Sequence, residues 1–514
     1  MMTLSDTPCA PGHSRPPAPC IAVLGTGSDV GKSVVATAIC RVLADAGLTV
    51  APYKAQNMSN NSGVTPEGLE MGRAQIVQAE AAGITPHVDM NPILLKPTSD
   101  VGAQVVLMGS VWGNQSARDY HTRKETLFAA AAGALDRLRA RTDAVVMEGA
   151  GSCAEVNLMA NDIVNFRMAT YADAPVILVA DIHRGGVFAQ IVGTLACLPP
   201  AERDRVAGIV INRFRGDLSL FDDGVAWIAE RTGKPVLGVL PWFADFAIEA
   251  EDSVVIEAPD RALGDPAAQP TIGVIRIPHI SNFTDVQALK QVDGLAVHFL
   301  ERPRNLAAYA AILMPGSKNT RYDLQWLHDT GWHREIRRYA AGGGHVLGIC
   351  GGYQMMGVRV LDPQGLEGAP GETEGLGLLP VETVLKAPKT TTRTRFSWNG
   401  AHGEGYEIHM GETSPIGEAA PLFLVSDRNG ALCERTDGCI SDSGNVLGTY
   451  IHGMLDSGPV LGRWLESLAL AGPVRIADDC GLAAREAAYR KLADHFRVHV
   501  DTAPIIDWAK GGRP

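Results

Sequence analysis

The chain has 514 residues, of which 46% are hydrophobic and 20% charged, and this composition excludes a disordered or fibrous protein. Its length predicts two or three domains. The formal charge, 45 − 57 = −12, argues against a generally basic surface for nucleic acid, although it permits a local basic cleft. The nine cysteines are odd in number and lack metal-ligand spacing, which predicts reduced thiols.

Residues 1–19 are rich in proline and small polar residues and contain no apolar core. They predict a disordered N-terminal extension and not a secretory signal peptide. No run of 18 apolar residues occurs in the sequence, so neither a transmembrane helix nor a membrane partner is expected. We expect a soluble, cytoplasmic protein.

Short apolar runs alternate with helical stretches, such as 33–46 and 125–140, through the first half of the chain. This alternation is typical of a doubly wound α/β sheet and predicts a first domain over 20–248. The runs that predict buried parallel strands are 21–24, 144–147, 176–179, 208–211 and 235–240.

A break in composition at 249–270 predicts a linker. A second α/β domain is then expected over 271–514, and the amphipathic helix Leu482–His499 is expected to close it. Its predicted strands are 271–277, 311–314, 345–349 and 446–450, with a patchier β-rich stretch at 376–435.

A glycine-rich turn, GTGSDVGKS at 25–33, joins the first predicted strand to a helix. Glycines let backbone N–H groups surround a phosphate, the helix N-terminus favours an anion, and a lysine supplies a mobile cation. The pattern departs from the usual phosphate loop, which has glycine at position 26. A dinucleotide site is disfavoured because the third glycine comes one residue late. The turn predicts nucleotide binding by Gly27, Gly31, Lys32 and Ser33.

A carboxylate follows the predicted strand 144–147 at the carboxyl edge of the sheet. Glu148 is well placed there to hold Mg²⁺ near the phosphates. Ser33 can offer its hydroxyl to the same ion. Asp181 is a second, less specific candidate by the same geometry. The sequence therefore predicts a magnesium site formed by Ser33 and Glu148.

In the second half, the predicted strand 345–349 leads into GICGG at 348–352 and then a helix. This is the glycine-flanked nucleophile elbow with cysteine in place of serine. The start of the helix lies behind the sulfur and favours its reactive form. The pattern predicts that Cys350 is a catalytic nucleophile.

A cysteine nucleophile needs a partner that moves its proton. His452 follows the predicted strand 446–450 at a glycine-containing turn and is the preferred base, whereas His409 is the rival on spacing alone. Backbone N–H groups after strand 311–314 can stabilise an oxyanion. The residues expected to do so are Gly316, Ser317 and Gly351.

Together these features resemble the adenosylcobyric acid synthase family of glutamine-hydrolysing corrinoid amide synthetases, from about residue 20 to the end. The resemblance implies a first half like the dethiobiotin synthetase type of ATPase and a second half like a class I glutamine amidotransferase. The stretches that carry it are KAQNMSN at 54–60, MNPILLKP at 90–97, EGAG at 148–151, 181–189, NRFRGD at 212–217, PHISNFT at 278–284 and PGSKNT at 315–320.

The resemblance implies an ATP-, Mg²⁺- and glutamine-dependent carbon–nitrogen ligase. Its substrate would be adenosylcobyrinic acid a,c-diamide, whose b, d, e and g carboxylates become amides. The implied partners are the corrinoid and glutamine, without nucleic acid. The sequence leaves the oligomeric state open, with a homodimer among the alternatives.

By the same resemblance, Cys350 is the glutaminase nucleophile and His452 its base. Most class I amidotransferases have glutamate two residues after that histidine, whereas this chain has Met454. The third member of the triad is therefore expected to be absent or replaced. Two further departures from the family pattern are Cys153, in place of proline, and His183, in place of aspartate.

The chemistry supports the joining of the two halves. Amide formation requires an activated carboxylate, which the γ-phosphate of ATP can supply as an acyl phosphate, and ammonia must reach it before water does. A substrate with several carboxylates also needs a locally basic cleft on a protein of charge −12. The residues expected to bind it are Lys54, Gln56, Asn57, Arg73, Lys96 and Arg213, with Arg215 as a further candidate.

Two alternatives stay open at this point. The first is cobyrinic acid a,c-diamide synthase, which has the same chemistry but other target carboxylates; AQNM at 55–58 and MNP at 90–92 favour the four-amide enzyme. The second is a non-enzymatic switch of the partitioning type, which dimerises with ATP but leaves Cys350 and His452 unexplained.

Overall fold

A computed structural model describes residues 16–99, 102–116, 120, 122–243, 264–468, 470–476 and 481–514. Most of the expected N-terminal extension (1–15) and most of the expected linker (249–263) lie outside these residues. Ala18, which was expected to be disordered, is buried and donates its N–H to the carbonyl of Arg139 at 3.0 Å. The packed part of the first domain therefore includes a residue before Cys20.

The first domain is organised around a six-stranded parallel sheet. Each of the five predicted strands is present, and a sixth, Val50–Tyr53, joins the edge. The two central strands that carry the expected phosphate loop and magnesium ligand are buried along their whole length, which explains their continuous apolar sequence. The strands in spatial order are Val236–Pro241, Val206–Phe214, Val176–Asp181, Cys20–Gly25, Ala144–Glu148 and Val50–Tyr53.

Helices and two smaller sheets complete this domain. A hairpin of Ser62–Val64 and Glu70–Gly72 extends toward the second domain. The second small sheet contains Gln56–Met58, Ile93–Ser99, Gly102–Leu107 and Ser110–Ser116. The helices are Lys32–Asp45, Arg73–Ala81, Lys124–Arg141, Phe166–Ala172, Val187–Cys197, Pro200–Arg205 and Asp222–Thr232.

The second domain has its own six-stranded sheet, parallel except for the final edge strand. Its strands in spatial order are Ala296–Leu300, Thr271–Ile275, Ala311–Met314, His345–Ile349, Val446–Thr449 and Cys439–Ile440. Its helices are Gln287–Lys290, Thr320–Thr330, Trp332–Ala341, Gly351–Met356 and Gly458–Ser467. The two-domain α/β fold predicted from the sequence is thus confirmed.

The patchy β-rich stretch, 376–435, contributes most of the strands of two four-stranded sheets beside the main one, and two strands that precede it complete the first of them. Its weak periodicity has a physical reason in strands such as Ala431–Asp437, which is exposed along nearly its whole length and so lacks the alternation of a half-buried strand. The first contains Gly371–Glu374, Arg359–Asp362, Val381–Val384 and Glu412–Pro415. The second contains Ala401–His409, Thr390–Trp398, Phe423–Arg428 and Ala431–Asp437.

The helix Leu482–His499 does not close the second domain as expected; it packs on the first. Phe496 is fully buried in the core of the first domain, and Trp508 from the final helix, Ala503–Ala509, joins the same core. Asp501 donates its N–H to the carbonyl of Leu237 at 2.8 Å. An amphipathic pattern shows that a helix buries one face but not which domain covers it. We therefore propose that the first domain includes 481–514.

Within the part of the chain that the structure describes, no helix has the combined length and apolar character needed to cross a membrane. The cysteines in that part are all free.

Candidate active sites

The nucleophile elbow forms where strand His345–Ile349 ends and helix Gly351–Met356 begins. Cys350 stands between them with φ 54° and ψ −109°, a conformation that non-glycine residues seldom adopt outside strained functional turns. A side chain at Gly352 would place its Cβ 2.0 Å from the carbonyl oxygen of Met314. The flanking glycine is therefore required for the strand, turn and helix to pack this closely.

Cys350 is only 5% exposed, and its Sγ lies 3.5 Å from the carbonyl oxygen of Ile408. His452, which is fully buried, follows the adjacent strand Val446–Thr449. Burial alone would lower the pKa of His452. The charges of Asp285 and the Cys350 thiolate, and their hydrogen bonds to the imidazole, outweigh burial and raise that pKa to about 10. The elbow thus contains a cysteine and histidine that can exchange a proton.

Asp285 supplies a third member of the constellation. Its Oδ2 lies 2.7 Å from Nδ1 of His452, and its Oδ1 accepts the N–H of Gly453 at 2.8 Å. This carboxylate orients the imidazole so that Nε2 faces the sulfur, as in other nucleophile–histidine–carboxylate sites. Met454, at the usual glutamate position, is instead buried in the apolar core.

From the sequence, the third member of the triad was expected to be absent or replaced. In the structure, Asp285 takes its place beside His452. Asp285 was missed because it lies 167 positions from His452 in the chain. The available signal was its position, since it directly follows PHISNFT at 278–284, a stretch already singled out.

His409, the rival base, has a different environment. Its ring stacks on Tyr450 with centroids 3.7 Å apart, and its Nε2 lies 3.5 Å from Oε2 of Glu407. Burial lowers the pKa of His409 despite that carboxylate. His409 faces a cavity of about 410 Å³ and is not among the groups that hydrogen-bond to Cys350 in the described residues. This geometry favours His452 as the base.

The expected oxyanion residues lie beside the elbow. Gly316–Ser317 pairs with Ile280–Ser281 as a short antiparallel ladder. A Cβ placed on Gly351 would lie 2.6 Å from the backbone nitrogen of Ser317, and one on Gly316 would lie 3.2 Å from Cε1 of His452. The three backbones predicted to stabilise an oxyanion are therefore in contact with the nucleophile turn and the base.

We expect Asp285→Asn to lower the rate of glutamine hydrolysis by at least about 100-fold, because the imidazole loses the group that fixes its tautomer. The pKa of His452 is raised in the folded protein, so its proton is present below that pKa and is lost as pH rises through it. Without the carboxylate this loss occurs at lower pH, and the alkaline limb of the pH–rate profile moves to lower pH.

Asp329→Asn is the matched control, because Asp329 is exposed in the same domain and bonds only Gln325 among the described contacts. It should leave the rate and the pH profile unchanged. An Asp285→Asn enzyme with the wild-type profile would show that the carboxylate does not act on His452.

In the first domain, Lys32 folds back onto the phosphate loop. It is 7% exposed, and its Nζ donates to the carbonyl oxygens of Gly27 at 2.8 Å and Gly151 at 2.9 Å. Gly31 has φ 95°, and a Cβ there would lie 2.0 Å from the amide nitrogen of Asn212. The loop therefore has the glycine-dependent turn and enclosed cation that phosphate binding requires.

The two expected magnesium ligands are in direct contact. Ser33 donates its hydroxyl to Oε1 of Glu148 at 2.8 Å, and Glu148 is 2% exposed. The same carboxylate accepts Nζ of Lys54 at 2.9 Å and Nε2 of Gln78 at 2.5 Å. Among the described residues there is no cluster of three or more metal-ligating His, Cys, Asp or Glu side chains. One hydroxyl and one carboxylate fit Mg²⁺, which keeps water and phosphate oxygens as its other ligands.

Asp181, the second magnesium candidate, is paired with an arginine. Nη1 of Arg213 lies 2.9 Å from Asp181, and Nη2 of Arg213 lies 2.8 Å from Asp29 in the phosphate loop. The side chain of Asn212 donates to the carbonyl of Val30 at 2.9 Å. Arg213, an expected substrate residue, thus contacts the phosphate loop from the end of strand Val206–Phe214, which is separated from the loop strand by Val176–Asp181.

Several residues expected to bind substrate are engaged within the protein. Lys54 is 4% exposed against Glu148, and Asn57 donates its amide to Gln75 at 3.1 Å. Lys96 is 2% exposed and its Nζ bonds Glu70 at 2.8 Å. Lys96 is therefore enclosed in an ion pair, and its expected role in a locally basic substrate cleft stays a prediction. Charge alone does not distinguish a surface lysine from a buried, paired one.

Other expected binding residues lie nearer to solvent. Gln56 is half-buried and accepts the hydroxyl of Tyr120, and Arg73 is also half-buried. The guanidinium of Arg215 lies 4.0 Å from the ring centroid of Trp242.

The two departures from the family pattern have different surroundings. His183 is exposed, and its ring lies 4.9 Å from that of Trp242. Cys153 is buried and donates its N–H to the carbonyl of Gly25 at 3.0 Å.

Buried polar contacts join the two domains. Glu70 of the first domain accepts both Lys96 and, at 2.6 Å, Nζ of Lys389 from the second. Burial opposes the charge of Glu70, but the two lysines hold the pKa of this carboxyl well below its usual range. Lys318, which follows the oxyanion turn, donates to Gln104 of the first domain at 3.1 Å. These contacts place the elbow directly against the first domain.

Comparison with protein families gives one match for each half. Residues 21–255 match the model described as the CobQ/CobB/MinD/ParA nucleotide binding domain. Residues 271–460 match the CobB/CobQ-like glutamine amidotransferase domain. The first domain is therefore a nucleotide-binding domain and the second a glutamine amidotransferase domain.

Curated relatives match nearly the whole chain. A cobyric acid synthase from Chlorobium phaeobacteroides strain BS1 is 53% identical over 494 residues, covering 95% of this chain and 98% of its own. A cobyric acid synthase from Chlorobaculum tepidum is 54% identical over 440 residues, covering 84% and 87%. One from Syntrophobacter fumaroxidans is 45% identical over 509 residues, covering 96% and 98%.

Proposed function

The chain belongs to the cobyric acid synthase family, and we propose that it uses ATP and glutamine to amidate the b, d, e and g carboxylates of adenosylcobyrinic acid a,c-diamide. Family membership makes it a glutamine-dependent carbon–nitrogen ligase of cobalamin biosynthesis. One observation carries the finer proposal: a cysteine–histidine–aspartate constellation and a phosphate loop lie on one chain, in domains joined by a buried ion pair.

At the elbow, the proton of Cys350 passes to Nε2 of His452, whose Nδ1–H is held by Asp285. The thiolate attacks the amide carbon of glutamine, and the backbone N–H groups of Ser317 and Gly351 are placed to stabilise the oxyanion. His452 then protonates the departing ammonia, leaving a glutamyl thioester on Cys350. Water, deprotonated by His452, hydrolyses the thioester and releases glutamate.

At the phosphate loop, Gly27, Gly31 and Lys32 would hold the triphosphate of ATP, and Ser33 and Glu148 would hold Mg²⁺. When bound, the ion neutralises charge on the phosphate oxygens. Transfer of the γ-phosphoryl group to a corrinoid carboxylate gives an acyl phosphate and ADP. Ammonia attacks its carbonyl carbon, and phosphate leaves as the amide forms.

The corrinoid requires positive charge near the carboxylates that are activated. We propose that Arg73 and Arg213 supply this charge and that Gln56 offers its amide to the corrinoid, because each is partly exposed at the surface of the first domain. Lys54 and Asn57 would act from beneath that surface, since both are buried and paired.

The choice of corrinoid is tested with purified protein, ATP, Mg²⁺ and glutamine. The expected result is four amidations of adenosylcobyrinic acid a,c-diamide, read as mass changes of the product. Activity on cobyrinic acid but none on its a,c-diamide would favour the two-amide alternative. Nucleotide hydrolysis without any glutaminase activity would support the partitioning-type switch.

We also propose a cytoplasmic location, which agrees with the free cysteines of the described residues. A homodimer stays a proposal, and the mass of the protein in solution tests it.

A further inference from the structure

Asn282 joins the two domains at the catalytic histidine. It lies in the second domain, is 3% exposed, and has φ 50°, a left-handed conformation that asparagine tolerates. Its Oδ1 accepts the backbone N–H of Ser62, in the hairpin of the first domain, at 2.9 Å. Its Nδ2 lies 3.2 Å from Nε2 of His452. One side-chain amide therefore connects the first domain to the atom that must receive the proton of Cys350.

The orientation of this amide follows from its partners. A backbone N–H can only donate, so the oxygen of Asn282 must face Ser62 and the NH₂ group must face His452. An NH₂ group can only donate, so it needs Nε2 unprotonated. Asp285 and the Cys350 thiolate favour a proton on that same nitrogen. Asn282 therefore favours an unprotonated Nε2, whereas Asp285 and Cys350 favour a protonated one.

We propose that Asn282 is a positioning residue that couples glutamine hydrolysis to the first domain. While Ser62 holds its oxygen, the NH₂ group of Asn282 opposes the proton that Asp285 and the Cys350 thiolate favour on Nε2, and so lowers the fraction of Cys350 that is thiolate. When the hairpin withdraws, the amide can turn and its oxygen accepts the Nε2 proton, which stabilises the imidazolium and the thiolate. The inference rests on the proposed roles of Cys350 and His452.

A series of contacts leads from the hairpin to the phosphate loop. Ser62 pairs with Gly72, whose N–H donates to Asn91 at 2.9 Å, and Asn91 donates to the carbonyl of Lys54 at 3.1 Å. Lys54 is bonded to Glu148, the expected magnesium ligand. A ligand that binds Glu148 therefore changes the surroundings of Lys54, which is three contacts from Ser62 in this series. The two orientations of the Asn282 amide supply the two-state element that such coupling needs.

The test measures how much of Cys350 is thiolate. Iodoacetamide alkylates a thiolate but not a thiol, so the rate of alkylation at Cys350 reports the thiolate fraction. The rate is measured between pH values of about 5 and 9. Peptide mass spectrometry reads Cys350, and the exposed Cys197 serves as the internal reference. Asn282→Asp replaces the NH₂ donor with an oxygen that accepts the Nε2 proton. Without nucleotide or corrinoid, it should raise the rate at Cys350 by about tenfold and move the pH midpoint down by about one unit.

Asn282→Gly removes the NH₂ donor without adding charge and suits the left-handed backbone. It should shift the midpoint in the same direction by a smaller amount. Asn305→Asp is the matched control, because Asn305 is exposed in the same domain and its Oδ1 accepts the N–H of Ala307, as aspartate can. It should leave the alkylation of Cys350 unchanged.

In the wild type, ATP with the corrinoid should accelerate alkylation, whereas Asn282→Asp should respond little. Wild-type rates and midpoints in both Asn282 variants, or slower alkylation in both, would overturn the inference. Failure of the proposed function has a different signature, namely glutamine hydrolysis that persists in Cys350→Ala.

Discussion

Cys350→Ala is expected to abolish glutamine-dependent amidation, by at least about 1,000-fold, while amidation supplied with ammonium salts continues. The sulfur is the only atom of the side chain that can form the glutamyl thioester. Activation of the corrinoid carboxylate takes place in the other domain and does not use it. Parallel assays with glutamine and with ammonium as nitrogen donor measure the two activities on one preparation.

The control is Cys197→Ala, because Cys197 is an exposed thiol of the first domain. It should retain both activities. Normal use of glutamine by Cys350→Ala would show that the elbow is not the glutaminase site, whatever its geometry.

Lys32→Ala is expected to lose both activities by at least about 100-fold, because neither nitrogen donor can replace activation of the carboxylate. Lys32 is enclosed by the loop, with its ammonium 2.8 Å from the carbonyl oxygen of Gly27. Removing it takes away the cation that would face the phosphates of ATP. The measurement is amide formation with glutamine and with ammonium, together with nucleotide binding.

Lys234→Ala is the corresponding control, since Lys234 is half-buried and its Nζ bonds only the backbone carbonyl of Asp204 among the described contacts. Thermal unfolding should confirm that Lys32→Ala remains folded, because the contacts of Lys32 with the loop are also lost. Ammonium-dependent amidation at the wild-type rate in Lys32→Ala would contradict a role of the loop in activation.

The features that the sequence predicted well depend on residues adjacent in the chain. The turn before Ser33 and the elbow at Cys350 each join a buried strand to a helix through required glycines, and these local rules were sufficient. The contact of Ser33 with Glu148 was also predictable, because both follow neighbouring strands whose carboxyl ends share one edge of the sheet.

The features that the sequence missed depend on long-range packing. Asp285 reaches His452 across 167 positions, and Phe496 returns to the core of the first domain from the far end of the chain. Lys96 has the charge of a substrate-binding residue but is buried in an ion pair with Glu70. Residue type and spacing contain no information about which distant segment a side chain meets.

The central claim is that nitrogen released from glutamine at Cys350 reaches a carboxylate activated at the phosphate loop. The most direct test gives the enzyme ATP, Mg²⁺, the a,c-diamide corrinoid and glutamine labelled with ¹⁵N in its amide, in a solution that contains unlabelled ammonium. Mass spectrometry of the corrinoid should show ¹⁵N in each new amide, and Cys350→Ala should show unlabelled nitrogen. Consumption of ATP and glutamine with no nitrogen gained by the corrinoid would contradict the account.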